Sequence, residues 1–234
     1  MDLNYGVVIV SYYPSINLIE LVNALYKYDN FVKIIIVDNT GEPNEIINNI
    51  ISNYKFCEVI INKENMGIAY ALNVGIEKFY SQFVDWVLTF DQDSLITGNL
   101  VEAYSNFLNR NIYKANEIGM IATNYYDRNT GMQYYANLSS FIEVKEAISS
   151  GALINIKIFM ELGKYKDYYF IDQVDNEYCY RLKKYNKKII LLPDKLMEHS
   201  LGNITNAKFL WKKFFVYNQN PIRYYYRTRN TIFM

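Results

Sequence analysis

The first half of the chain alternates between continuous apolar runs and segments with apolar residues at helical spacing. The apolar runs predict strands buried on both faces at residues 5–13 and 32–40, and further strands at 57–61 and 85–90. The helical spacing predicts three helices: one that begins near Ser15, one at 45–51 and one that begins after 65–67. This rhythm predicts an α/β fold with a mostly parallel central sheet, flanked by helices and connected by right-handed crossovers.

The pattern after residue 100 is less regular. It predicts a helix at 100–108, a strand at 118–123, a polar tyrosine-rich excursion at 124–148, a strand or turn leading into a helix at 148–159, an acidic helix start at 170–182 and a strand at 188–194. With 234 residues and 51% hydrophobic content, the chain can bury one sizeable core, or one core with a small annex.

Polar residues stand where the predicted strands end, at 11–13, 38–40, 62–67 and 91–93. In parallel sheets, ligands bind at the carboxyl ends of the strands, so these residues predict a binding site along one edge. The sequence contains neither G-x-G-x-x-G nor G-x-x-x-x-G-K-[ST], which argues against a dinucleotide dehydrogenase and a P-loop NTPase.

Two carboxylates, Asp91 and Asp93, directly follow the apolar strand in the stretch VLTFDQDS. One interpretation is local, because Asp and Ser often begin turns and cap helices. The other is a divalent cation, because Mg²⁺ and Mn²⁺ prefer carboxylate oxygens.

Composition excludes several classes of protein. Lys plus Arg and Asp plus Glu balance at 24 each, so no overall positive field attracts nucleic acid. The two cysteines, Cys57 and Cys179, are far apart and lack metal-ligand spacing, which is typical of a reduced, cytoplasmic protein. The sequence shows neither a signal peptide nor an apolar run of about 18 residues that would span a membrane.

The last segment, 207–234, is basic and aromatic, and we expect it to be helical. It contains no acidic residue and six basic ones: Lys208, Lys212, Lys213, Arg223, Arg227 and Arg229. One interpretation is a basic surface helix with an aromatic core face. The alternatives are peripheral contact with an anionic membrane and contact with a diphosphate. The apolar end, Thr-Ile-Phe-Met, leads us to expect that a further C-terminal segment follows residue 234.

Eight motifs in order resemble the family 2 glycosyltransferases of the GT-A fold, and most closely their bacterial rhamnosyltransferase branch. They are SYYPS, IIIVDNT, NKENMGIAYALNVGI, LTFDQDS, SSGALI, FIDQVDNEYCYRL, HSLG and YYYRTRN. The resemblance implies a glycosyltransferase domain at 1–206, with a nucleotide-binding half at about 1–98 and an acceptor and catalytic half at about 99–206. The fold would include a smaller acceptor-side region toward the C-terminus. The segment 207–234 would follow it.

The resemblance also implies a metal site. Asp93 would be a direct ligand, Asp91 would reach the ribose or the metal, and His199 would complete the site around Mn²⁺ or Mg²⁺. Without the resemblance, the only histidine of the chain would be an ordinary surface or core residue. A nitrogen ligand favours manganese over magnesium.

The general base is expected among the acidic residues of 170–182. Alignment of the family's E-D-x-D-x-x-x-R pattern on Arg181 makes Asp175 the base and Glu177 the following acid, while Asp172 has the weaker claim. Acidic residues also favour the positive end of a helix, and Glu177 with Arg181 has the spacing of an ordinary helical ion pair.

The remaining candidates would bind the donor and acceptor. Asp38 can accept the imide N–H of uracil or thymine, and Ser11, Tyr12 and Tyr13 offer backbone groups and a ring for stacking. Asn65 and Gly67 allow a close turn beside the nucleotide, although each of these residues also suits a strand-end cap or turn. The resemblance assigns the donor-sugar and acceptor side to Ser149, Ser150, Gly151, Arg181 and Arg227.

Together these features predict an inverting glycosyltransferase that transfers a sugar, rhamnose from dTDP-rhamnose, to a surface polysaccharide or a lipid-diphosphate-linked oligosaccharide. The alternatives are another donor, such as UDP-galactofuranose or a UDP-hexose, and a catalytically silent carbohydrate-binding subunit. The predicted location is the cytoplasm, on the inner face of the plasma membrane.

Overall fold

The structure of the protein is a computed structural model. It describes residues 4–29, 32–110, 115–128, 131, 133–135, 138–199, 204–209, 211–217 and 220–234. Ser200, Leu201 and Gly202, which follow His199 in the last-but-one motif, lie outside these residues.

The described residues form strands and helices in the predicted alternation. The strands are β1 (Tyr5–Ser11), β2 (Ile34–Asp38), β3 (Cys57–Ile61), β4 (Trp86–Asp91), β5 (Leu95–Ile96), β6 (Ile118–Asp127), β7 (Ile142–Glu143), β8 (Ala152–Asn155), β9 (Lys188–His199), β10 (Ile204–Phe209) and β11 (Lys212–Tyr217). The α-helices are α1 (Ile16–Tyr28), α2 (Glu45–Asn53), α3 (Ile68–Tyr80), α4 (Leu100–Asn109), α5 (Ile156–Leu162), α6 (Val174–Lys184) and α7 (Pro221–Phe233). Short 3-10 turns lie at Ala115–Glu117 and Asp167–Tyr169.

Most helices begin at a polar side chain that accepts a hydrogen bond from the first turn. Ser15, Asn44, Asn99 and Asn155 cap α1, α2, α4 and α5 in this way. Such caps satisfy backbone N–H groups that have no partner inside the helix. Helix α6 differs, because its first residue follows Gln173, which has left-handed backbone and gives no side-chain cap.

The nucleotide-binding half predicted from the sequence forms the parallel part of the sheet. Strand β1 pairs in parallel with β2 and β4, and β2 pairs in parallel with β3. The register places Ser11 beside Asp38 and Val10 beside Asp91. The carboxyl ends of three strands therefore meet at one edge, as the sequence predicts.

The second half of the sheet is mixed rather than parallel. The strand order is β3-β2-β1-β4-β8-β6-β9-β5, with β7 also paired to β9. Strand β8 lies antiparallel between β4 and β6, while β6 and β9 are parallel. As a result, β4 and β9 run in the same direction, and His199 at the end of β9 lies at the same edge of the sheet as the end of β4.

The sheet has an apolar layer on each face, because successive side chains of β1 point in opposite directions. Val8 and Val10 pack with α3, α5 and α6, whereas Val7 and Ile9 pack with α1, α2 and α4. This explains the continuous apolar run of the strand, since neither face is exposed to water.

The helical prediction for 207–234 is only partly correct. Strands β10 and β11 form a separate antiparallel hairpin, and the helix begins at Pro221. Asn220 caps this helix, and proline at its first position has no N–H that would need an intrahelical partner.

Candidate active site

The structure brings the two carboxylates after β4 close to the histidine at the end of β9. Asp91, Asp93 and His199 each offer one ligand atom, and these atoms all lie within 4.8 Å of one another. Ligands about 2.0–2.1 Å from an Mg²⁺ ion lie about 4 Å apart at most, so small side-chain adjustments would suffice. The loop is held by Gln92, which exchanges two hydrogen bonds with the backbone of Tyr12 at 2.8 and 2.9 Å.

His199 has the properties of a metal ligand. Its Nδ1 atom is buried and has no hydrogen-bond partner among the described residues. Burial lowers the pKa of its imidazole, which favours the neutral form that binds metals. The edge of the ring packs against Tyr125, at 5.9 Å between ring centroids. The residues present therefore fit a divalent cation.

Carboxylates are crowded at this site. Burial and the neighbouring Asp93 raise the pKa of Asp91 to about 7, while Arg223 opposes the shift. Burial and the Asp91 carboxylate raise the pKa of Asp175 to about 6. Like charges at close range disfavour ionisation, and a divalent cation in the site would reverse that effect.

Asp175 lies in the first turn of α6, directed toward the metal candidates. Its Oδ2 atom accepts a hydrogen bond from the backbone N–H of Ser149 at 3.2 Å. The hydrogen bond from Ser149 and the proximity of His199 both lower the pKa of Asp175, against the larger effect of burial. A half-buried carboxylate with a raised pKa beside a candidate metal site has the surroundings of a general base.

The other two acidic candidates have charged partners. Asp172 accepts two hydrogen bonds from Arg223, at 2.9 Å from Nη2 and 3.2 Å from Nε. Glu177 is 3% exposed and pairs with both Arg181 and Lys166, each at 2.8 Å. These contacts hold both carboxylates in structural ion pairs.

Two arginines predicted for the sugar side have other surroundings. Arg181 pairs with Glu177 and donates to the carbonyls of Leu162, Gly163 and Lys164, so it fixes the turn after α5. Arg227 is exposed on α7. These contacts support a structural role for Arg181.

Asp38 offers a free acceptor at the end of β2. Its Oδ1 atom accepts hydrogen bonds from Ser11 at 2.7 Å and from Thr40 at 2.9 Å. Its Oδ2 atom is buried and has no hydrogen-bond partner among the described residues. A buried acceptor without a partner is costly, so this atom is suited to the N–H of a bound ligand.

The aromatic residues after β1 are on the surface beside Asp38. Tyr12 and Tyr13 are 47% and 55% exposed, and their rings meet edge to face at 4.7 Å. Tyr13 has left-handed backbone, with φ of 46°, and its N–H donates to Thr40 Oγ1 at 2.9 Å. An exposed ring in a fixed position is suited to stacking on a planar base.

Gly67 lies where the loop before α3 meets the segment before α6. Its φ is 84°, and a Cβ atom would lie 2.6 Å from the carbonyl oxygen of Phe170. Asn65 accepts from its N–H at 3.0 Å, and Asn39 donates to its carbonyl at 3.1 Å. Only glycine fits this approach without displacing its neighbours.

Ser150 and Gly151 lie beneath the two aspartates. The Ser150 hydroxyl accepts from the N–H of Asp91 at 3.2 Å and lies 2.6 Å from the hydroxyl of Ser94. Gly151 has φ of 74°, and a Cβ atom there would lie 2.7 Å from the sulfur of Met197. Both residues are buried, so they support the Asp91 loop from below.

Sequence reasoning missed Gln92 and Arg223 as site residues. Gln92 stands between the two aspartates, and its central place in the D-Q-D motif was an available signal. Arg223 was counted with the basic tail, and only the fold brings it beside Asp172 and Asp91.

One edge of a mixed sheet thus carries the free acceptor of Asp38, the metal candidate of Asp91, Asp93 and His199, and the Asp175 carboxylate. Residues 7–163 match the family described as glycosyl transferase family 2. The chain belongs to this family.

The relatives agree with this family. The chain is 28% identical to the dTDP-rhamnosyl transferase RfbF of Shigella flexneri, over 100% of this chain and 80% of that protein. Among solved structures, Staphylococcus aureus TarS 1–349 in complex with UDP is 15% identical, with a TM-score of 0.69 over 86% of this chain. GalNAc-T7 with UDP, GalNAc and Mn²⁺ is 14% identical, with a TM-score of 0.68 over 85% of this chain.

The chain spans 61% and 44% of the lengths of these two solved chains. At these identities the likeness concerns the fold, which is the GT-A fold that the sequence motifs predict.

Proposed function

We propose that the protein is a metal-dependent, inverting glycosyltransferase that uses a nucleoside diphosphate sugar as its donor. The observation that carries this proposal is the convergence of Asp91, Asp93 and His199 within 4.8 Å, with the half-buried Asp175 beside them. A divalent cation held by the first three residues would supply charge stabilisation for the diphosphate leaving group. A catalytically silent subunit would have no need of all four residues.

In this mechanism the residues of the chain bind the donor, orient it and deprotonate the acceptor. Asp38 accepts the imide N–H of the base, and Tyr12 or Tyr13 stacks on its ring. The Ser150 hydroxyl and Gln92 keep the two aspartates in position. Asp175 takes the proton from the acceptor hydroxyl, whose oxygen then attacks the anomeric carbon as the diphosphate leaves from the opposite face.

The donor that we propose is dTDP-rhamnose, and the acceptor is a surface polysaccharide or its lipid-diphosphate-linked precursor. The relative from Shigella flexneri, whose name states a dTDP-rhamnosyl transferase, supports this donor. The free Oδ2 of Asp38 is compatible with thymine and uracil alike, since both present an imide N–H.

A donor panel tests the proposal. The melting temperature of the protein with Mn²⁺ is measured alone and with dTDP-rhamnose, UDP-galactofuranose, UDP-N-acetylglucosamine or GDP-mannose. A ligand that binds the native state raises the melting temperature, by an amount that grows with its affinity. We expect the largest rise with dTDP-rhamnose and none with GDP-mannose. A larger rise with a UDP-sugar would show that this sugar nucleotide, rather than dTDP-rhamnose, is the preferred donor. No rise in melting temperature with any of the four would contradict the presence of a donor site.

We further propose peripheral contact with an anionic membrane through the basic aromatic segment 207–234. Trp211 and Tyr225 are 84% and 59% exposed, and Lys208 and Arg227 are also exposed. Exposed aromatic rings beside basic side chains suit the headgroup region of a bilayer. No helix within the described ranges is both long enough and apolar enough to cross a membrane.

A further inference from the structure

The segment Phe170–Gln173, immediately before α6, has an unfavourable backbone conformation. Phe170, Asp172 and Gln173 have φ of 60°, 62° and 62°, although none is glycine. Such residues cost about 1–3 kcal/mol each and persist only where the surrounding structure holds them. Asp175 lies in the next turn of chain, so the conformation of this segment determines where its carboxylate points.

Asn230 of α7 holds the backbone of this segment. Its side chain is fully buried, and its Nδ2 atom donates to the carbonyls of Tyr169, Ile171 and Asp172 at 2.8, 2.9 and 2.8 Å. Its Oδ1 atom accepts from Arg229 at 2.7 and 3.0 Å. Because the oxygen is engaged by a cation, the amide group must face the carbonyls.

Three side-chain contacts between α7 and the segment accompany this hydrogen-bond cluster. Arg223 forms a two-pronged ion pair with Asp172, and the ring of Phe170 stacks on Tyr226 at 4.8 Å. The third contact is a hydrogen bond of 3.2 Å from Gln173 to Thr231.

The same segment contacts the nucleotide side of the molecule. The carbonyl of Phe170 accepts from the N–H of Ile68, the first residue of α3, at 2.7 Å, and Phe170 packs on Gly67. Hence α7 is connected through Phe170–Gln173 to both Asp175 and the loop that carries Asn65.

We propose that Asn230 and Arg223 are positioning residues that hold Phe170–Gln173 in its left-handed conformation and thereby aim Asp175 at the acceptor. This inference rests on the proposed function, in which Asp175 is the general base. It also gives Asp172 a role, because its carboxylate anchors the segment to Arg223. Helix α7 then contributes to the active site by fixing the position of Asp175.

Two measurements on the Asn230→Ala variant test the proposal. Hydrogen–deuterium exchange of the backbone around 168–176 should increase, because the carbonyls lose their common donor. Turnover should fall about tenfold to a hundredfold, as expected for a misplaced catalytic group. The affinity for dTDP with Mn²⁺ should fall by a smaller factor, because the contacts of Phe170 with Ile68 and Gly67 do not involve Asn230. Thr228→Ala, an exposed position on the same helix, should change neither quantity.

A double-variant comparison separates positioning from general destabilisation. If Asn230 acts through Asp175, Asn230→Ala should reduce turnover much less in the Asp175→Asn background than in the wild type, because the base that Asn230 positions is already absent there and coupled sites are not additive. A purely structural role predicts the same reduction in both backgrounds. If Asn230→Ala folds poorly, Asn230→Asp provides the same comparison, because it removes the Nδ2 donor but keeps an oxygen facing Arg229.

The outcomes distinguish this inference from the proposed function. Unchanged exchange around 168–176, or equal reductions in both backgrounds, would refute the positioning role. A different result would be that the wild type shows no transfer activity, while hydrogen–deuterium exchange still depends on Asn230. This result would refute the proposed function and the positioning of Asp175 as a base. The tethering of the segment by α7 would then still stand.

Discussion

Asp172, Asp175 and Glu177 are close in sequence, yet their surroundings differ in kind. Asp172 and Glu177 have cationic partners, whereas Asp175 lies near the Asp91 carboxylate and accepts a hydrogen bond from a backbone N–H. A base that accepts a proton needs a pKa close to the working pH, and burial together with the Asp91 carboxylate raises the pKa of Asp175 to about 6. The surroundings of the three residues therefore favour Asp175 as the base.

Replacement of Asp175 by asparagine removes the proposed base and keeps the shape of the side chain. We expect turnover to fall by about a hundredfold or more, in line with typical general-base contributions. The affinity for dTDP, measured by titration calorimetry with Mn²⁺, should remain close to that of the wild type. If Asp172→Asn abolishes turnover while Asp175→Asn keeps it, the base is Asp172.

Removal of the metal tests the group of Asp91, Asp93 and His199. We expect dTDP to bind much more weakly in EDTA than in Mn²⁺, because an ion held by these residues would offset the negative charge of the diphosphate. In Asp93→Asn, Mn²⁺ affinity should fall by more than about tenfold, since even outer-shell changes at metal sites cost this much. Glu20→Gln, at an exposed position on α1, serves as the control. Equal dTDP affinity of the wild type with and without EDTA would remove the metal from the mechanism.

At the scale of elements, α6 connects the site to the body of the domain. Its first turn carries Asp175, and its next residues attach it to the turn after α5 through Glu177 and Arg181. Glu177 is one helical turn before Arg181, the spacing that brings two side chains together. The sequence indicated this pair, while the contact with Lys166 depends on the fold.

Glu177→Gln should destabilise the fold markedly. Removal of one partner from a buried ion pair costs about 3–5 kcal/mol, because the remaining charge is left without compensation. We expect a loss near the lower end of this range in the free energy of unfolding by urea, since Lys166 is 39% exposed. The matched control is Glu161→Gln, which removes an exposed pair with Lys157 and should cost less than about 1 kcal/mol. Similar losses for both variants would contradict the structural role of Glu177.

At the scale of the whole molecule, the C-terminal segment is divided between two tasks. Arg223 and Arg229 face inward, where Asp172 and the carbonyl of Tyr168 engage them. Lys208 and Arg227 are exposed, beside aromatic side chains that are also exposed. Fewer basic residues are therefore available to a membrane than the six counted in the sequence.

Sedimentation with lipid vesicles tests the membrane contact. A basic residue near an anionic surface contributes about 1 kcal/mol, so the bound fraction should rise with anionic lipid and fall with salt. Lys208→Glu should reduce binding, whereas Lys157→Glu, which changes an 80% exposed side chain on α5, should reduce it much less. If the wild type ignores anionic vesicles at low salt, the segment serves only the fold and the site.

The sequence by itself determined the parallel strands, the helices between them and the edge at which the site lies. Periodicity, caps and strand ends are properties of neighbouring residues, so β1 to β4 and α1 to α3 follow from local patterns. The D-Q-D motif likewise marked Asp91 and Asp93.

Only the tertiary structure decided which distant residues meet. The antiparallel insertion of β8 and the parallel pairing of β6 with β9 bring His199 to Asp91 and Asp93. The docking of α7 pairs Arg223 with Asp172 and buries Asn230 against the segment before α6. Such contacts depend on the order of the strands and the packing of whole elements, because no local pattern of residues encodes partners so far apart in the chain.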